Sequence, residues 1–68
     1  MKIDYADAIL MLRAKLKLSQ EELAKLMEVS AVSINRWENG KYEPTKLVKV
    51  KIIEMLKENN IEYREVEE

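Results

Sequence analysis

Residues 19–41 read SQEELAKLMEVSAVSINRWENGK, and the reading of this stretch decides the fold. Ser19 and Glu22 form an S-x-x-E capping box, which satisfies amide groups that the first turn of a helix leaves unpaired. Leu18 before the cap and Leu23 five residues later have the spacing of a hydrophobic staple, so the chain's approach to this helix is specified locally. Leu23, Leu26 and Met27 then mark an inward stripe, with Gln20, Glu21 and Lys25 outside it. The same punctuation repeats at once. Ser30 is an N-cap, and Val29 and Ile34 have the spacing of a second staple. Ile34 and Trp37 at i, i+3 anchor the second helix, and Asn39-Gly40 stops it after about nine residues. Trp37 reads as core rather than as an exposed stacking platform. With Ile34 and Trp37 pointing inward, Ala31, Val32, Asn35 and Arg36 fall on the opposite arc at about 3.6 residues per turn.

Working outward, Asp4 caps an earlier helix running to about residue 17, with Asp7 near its positive end and Ile9, Leu12 and Leu16 as its stripe. Residues 1–3 read as a frayed lead-in. Beyond Gly40, Pro44 turns Glu43 out of helical geometry and Thr45 caps a last helix over residues 46–59. Residues 48–52 alternate like a strand, but the length of the segment and its Glu-Met-Leu-Lys-Glu continuation favour helix. Val48, Ile52, Met55 and Leu56 form its stripe. Leu47, Val50 and Ile53 lie off that stripe, so either the helix is buried on more than one side or a second apolar face awaits a partner. Residues 1–60 therefore form one all-α domain, and residues 61–68 an acidic tail or a short strand through Ile61 and Tyr63 that pairs with a second subunit.

Composition narrows the chemistry. The 68 residues are 47% hydrophobic and 37% charged, as in an ordinary folded domain. There is no Cys and no His, which removes Cys/His metal sites, disulfides and His-based triads. The single Gly cannot build a phosphate-cradling loop, and Ser19 and Ser30 are accounted for as caps. No catalytic residue, metal ligand or cofactor site is expected. The longest uncharged apolar run, residues 8–12, is too short to span a membrane, and no signal peptide opens the chain, so a cytoplasmic location is expected. Net charge is −1, but residues 54–68 hold six acids against two bases, leaving ten bases and seven acids, net +3, over residues 1–53. The region bearing the two capped helices is mildly basic.

The stretch resembles the helix-turn-helix of Cro and the phage repressors, the XRE family. The likeness is carried by Leu12-Arg13, Leu18-Ser19-Gln20, Glu22-Leu23-Ala24, Val29-Ser30, Ser33-Ile34, Trp37-Glu38-Asn39-Gly40-Lys41 and Pro44, and covers residues 9–45. Two positions depart from the family pattern: Lys17 and Glu28 stand where glycine is usual. The resemblance implies a compact four-helix, lambda-repressor-like domain that binds double-stranded DNA as a homodimer and regulates transcription, most simply as a repressor. It implies base readout by Ala31, Val32, Asn35 and Arg36, with Arg36 able to reach guanine O6 and N7 and the two apolar residues able to meet a thymine methyl. By position it implies phosphate contacts from Gln20, Ser30, Ser33, Asn39, Lys41 and Tyr42. It also implies a partly buried ion pair between Arg13 and Glu38. A second reading is an antitoxin-like or adaptor module that grips a partner protein with its last helix.

Overall fold

The structure, a computed structural model, describes residues 2–63 and 65–66; Met1, and Arg64, Glu67 and Glu68 of the acidic end, lie outside the described residues. Four helices form its body: α1 (Tyr5–Leu16), α2 (Gln20–Met27), α3 (Ala31–Glu38) and α4 (Lys46–Glu58). Each begins where a side chain can replace the missing helical acceptor. Asp4, Ser19, Ser30 and Thr45 accept from the backbone N–H three residues on, those of Asp7, Glu22, Ser33 and Val48. At α2 the capping box is complete, with the Ser19 N–H donating to Glu22 Oε1 at 2.9 Å. That backbone bond, followed by the bond to the Ser19 side chain, holds the Glu22 carboxyl below its ordinary pKa of 4.5.

Lys17 and Glu28 adopt the left-handed conformation that the family assigns to glycine, at φ 56° and 59°. Both end their helices in the same way. The next N–H reaches back five residues, Leu18 to Arg13 O at 3.0 Å and Val29 to Ala24 O at 2.9 Å. Leu18 and Val29 then pack against the core, completing the apolar half of the motif. Asn60 at φ 53° and Ile61 repeat the arrangement after α4, through Ile61 N–H to Leu56 O at 2.9 Å. A side chain in this conformation carries a penalty of about 1 kcal/mol, part of which glycine returns as unfolded-state entropy. Lys17→Gly is therefore expected to stabilise the chain by about 0.5–1 kcal/mol. Glu28→Gly should gain slightly less, because it also removes the exposed 3.4 Å pair with Lys51. Urea unfolding followed by circular dichroism checks both; a lower midpoint for Lys17→Gly would contradict the strain argument.

The core unites Ala8, Ile9 and Leu12 of α1, Leu23, Ala24 and Met27 of α2, Ile34 and Trp37 of α3, and Val48, Ile52 and Leu56 of α4, closed by Ile61. Leu26 departs from the expected stripe and is 59% exposed. The buried arc of α2 is centred between Leu23 and Ala24, where a methyl side chain lets neighbouring backbone approach closely, and this turns Leu26 outward. The alternating residues 48–52 are helical, and Lys51 Nζ donates to Met27 O at 3.2 Å, serving an unpaired carbonyl at the end of α2. Asn59 caps α4 rather than extending it, its Nδ2 donating to Met55 O at 2.8 Å.

Of the lead-in expected to fray, Lys2 and Ile3 are instead in a strand, and Met1 lies outside the described residues. Strand β1 (Lys2–Ile3) pairs antiparallel with β2 (Glu65–Val66), in the register Lys2 with Val66 and Ile3 with Glu65. Of the two readings of the acidic end, a tail or a strand through Ile61 and Tyr63 on a second subunit, neither holds for Glu65 and Val66, which form a strand paired within the same chain. Ile61 and Tyr63 instead pack on the core.

Candidate nucleic-acid interface

The geometry of α2 and α3 is set by one polar network. Arg13 Nη1 donates to both carboxylate oxygens of Glu38, at 3.0 and 2.9 Å, and Arg13 Nε donates to Leu18 O at 3.1 Å. Gln20 Nε2 adds a bond to Glu38 Oε1 at 2.8 Å. The end of α1, the start of α2 and the end of α3 are thereby fastened at a single carboxylate, whose side chain is only 8% exposed. Because Gln20 opens α2 and Glu38 closes α3, the start of α2 is held beside the residues that follow α3.

Helix α3 is eight residues long and presents Val32, Asn35 and Arg36 to solvent. Ala31 is partly buried and packs against the core, so it stands at the flank of this face rather than on its crest. Asn39, one turn beyond Asn35, shares the face, and its Nδ2 donates to Asn35 Oδ1 at 3.2 Å. Asn39 is expected as a phosphate contact beyond the helix end, and the structure sets it beside Asn35. The i, i+4 relation to Asn35 is the signal that could have brought it onto the readout arc.

Polar groups gather at both ends of that face. At the first end, Ser30 Oγ accepts from Ser33 N–H at 3.1 Å and lies 3.0 Å from Ser33 Oγ. The pair owns two hydroxyl protons and uses one internally, leaving one to donate outward. The first turn of α3 contains no acid to offset its positive end, whereas that of α2 contains Glu21 and Glu22. At the other end stand Gln20, Asn39, Lys41 and Tyr42. Gln20 has one amide proton on Glu38 and a second free. Helix α3, about 12 Å long at 1.5 Å for each of its eight residues, separates the two ends, and a helix of ordinary diameter, about 10–12 Å, fits a major groove about 12 Å wide.

Tyr42 was expected only as a phosphate contact. After Gly40 turns the chain at φ 74°, the Tyr42 ring meets the Arg36 guanidinium, whose Cζ lies 5.4 Å from the ring centroid. No spacing rule along the sequence brings residues 36 and 42 together.

A family model described as Helix-turn-helix matches residues 9–63, most of the chain. The chain belongs to this family of Cro and phage-repressor, or XRE, type, and is a DNA-binding transcription regulator of that type. The family binds double-stranded DNA and is not typically catalytic. No curated protein and no solved structure gives a match. No helix among the described residues is long and apolar enough to cross a membrane.

Proposed function

We propose that the chain is a non-enzymatic, cytoplasmic repressor that binds a pseudo-palindromic operator as a homodimer, each copy laying α3 in a major groove. The observation carrying this reading is the outward face of α3. It bears Val32, Asn35 and Arg36, is flanked by Ala31, and is bounded at both ends by the donors Gln20, Ser30, Ser33, Asn39 and Lys41, with the Tyr42 ring beside Arg36. The binding domain of residues 1–60 is closed by Ile61, and the acids that follow Ile61 repel phosphate. With net +3 over residues 1–53, non-specific attraction is modest and base contacts supply the discrimination. Dimerisation doubles the contacted surface and sets half-sites about one helical turn apart.

A second reading has its own observation. Leu47, 70% exposed, and Val50 lie on the face of α4 opposite the core. This suits an antitoxin-like or adaptor module that holds a partner protein there. Selection from a random-sequence duplex pool at low salt, followed by fluorescence anisotropy, separates the two. Enrichment of a two-fold symmetric sequence supports the repressor, and failure to enrich any sequence removes it in favour of the adaptor.

A further inference from the structure

We propose that Tyr42 is a positioning residue for Arg36, holding the guanidinium ready for a base edge, and that its ring rather than its hydroxyl does this work; the inference rests on the DNA-readout reading above. Arg36 lies on the exposed face of α3, and a long side chain there loses rotamer freedom when it docks in a groove. The Tyr42 ring lies within the roughly 6 Å reach of a cation–π contact and so restricts that freedom before DNA arrives. The nature of the partner matters. A carboxylate would engage the N–H edge of the guanidinium and neutralise its charge, both of which guanine needs. A ring leaves the charge intact and the in-plane donors available. Among the described residues, Arg13 pairs with Glu38, Lys49 with Glu43 and Lys51 with Glu28, while Arg36 has no acidic partner.

The loop that carries the ring is fixed, although Tyr42 itself is 58% exposed. Tyr42 lines a cavity of about 280 Å³ with Trp37, Tyr5 and Pro44, between the turn after α3 and the start of α1. Trp37 and Pro44 are buried, so the loop carrying Tyr42 is anchored on both sides. Gly40 provides the reversal, with open space where a Cβ would stand. Arg36 is thus steadied by a loop fixed to the core, although both partners are exposed.

The hydroxyl and the ring can be separated. Tyr42→Phe keeps the ring and loses the hydroxyl; Tyr42→Leu keeps apolar bulk in the cavity and loses the aromatic face. Affinities are measured by anisotropy for a labelled duplex of the selected sequence and for a random duplex of equal length. Tyr42→Leu is expected to weaken the selected duplex about 3- to 5-fold and leave the random duplex unchanged, while Tyr42→Phe binds both like the parent protein. In an Arg36→Ala background, Tyr42→Leu should add less than about a two-fold effect, since the two residues act as one unit. Without DNA, proton NMR should show the Arg36 side-chain protons shifted upfield by the ring in the parent protein and in Tyr42→Phe, but not in Tyr42→Leu. Equal losses for Phe and Leu on both duplexes would assign Tyr42 to phosphate and overturn the proposal, as would a full Leu effect without Arg36. If the parent protein selects no sequence, the DNA reading itself has failed, and that arm identifies the failure separately from the NMR comparison.

Discussion

Arg13→Ala should lower the unfolding free energy by about 2–4 kcal/mol, a large share of the roughly 3–5 kcal/mol that a single core supplies to a domain this small. The cost follows from what the substitution leaves behind. Glu38 keeps a charged carboxylate in a side chain 8% exposed, with only the Gln20 amide to serve it. Leu18 O also loses its donor at the end of α1. Glu38→Ala removes the same contact but strands a less demanding group, because the Arg13 side chain is 27% exposed and can turn to water. The expected order is therefore Arg13→Ala worse than Glu38→Ala, the latter costing about 1–3 kcal/mol.

Replacing both partners with apolar residues, as in Arg13→Met with Glu38→Leu, should recover most of the loss, since neither charge is then left unmatched. Urea unfolding of the two single variants and the double gives the coupling directly. Losses of a few tenths of a kcal/mol for both single variants would show that the pair does not hold α1 to α3. The double variant makes a further distinction. If it regains stability but binds DNA poorly, the network serves to aim Gln20 and the residues after α3 as well as to hold the fold.

The features legible in the sequence are those whose partners lie within three to five residues. The capping box at Ser19 and Glu22, the caps at Asp4, Ser30 and Thr45, and the starts of all four helices follow from such local rules. Leu26 was misplaced because periodicity weighs large apolar residues and passes over Ala24, whose small side chain rotates the buried arc of α2. The left-handed ends at Lys17 and Glu28 carry no glycine to announce them; only the apolar residue after each, Leu18 and Val29, marks the motif. The pairing of β1 with β2 joins opposite ends of the chain, and two-residue strands leave no periodic pattern to read. At the interface, the outward direction of Val32, Asn35 and Arg36 was a matter of helical geometry. The contact of Arg36 with Tyr42 depends on a tertiary turn and lay beyond that geometry.

Arg36→Ala should cost about 1–3 kcal/mol on the selected operator, a loss of roughly 5- to 150-fold, concentrated at one base pair. The prediction depends on Arg36 being a reader of sequence rather than a general cation. A bidentate contact to guanine O6 and N7 uses two coplanar donors, which lysine cannot offer, so Arg36→Lys should lose most of the same discrimination while keeping the charge. Lys41→Ala provides the contrast. It lies in the turn after α3, among the groups that would face phosphate, and its removal should weaken selected and random duplexes alike and reduce the slope of log affinity against log salt by about one. Neither residue belongs to the core, so thermal midpoints should stay within about a degree or two of the parent protein, separating a binding loss from a folding loss. A repeated selection with the Arg36→Ala protein reads the result at base resolution: the operator should be recovered with a single position relaxed. If instead every position is retained and affinity falls equally on random DNA, Arg36 acts on phosphate, and discrimination must rest on Ala31, Val32 and Asn35.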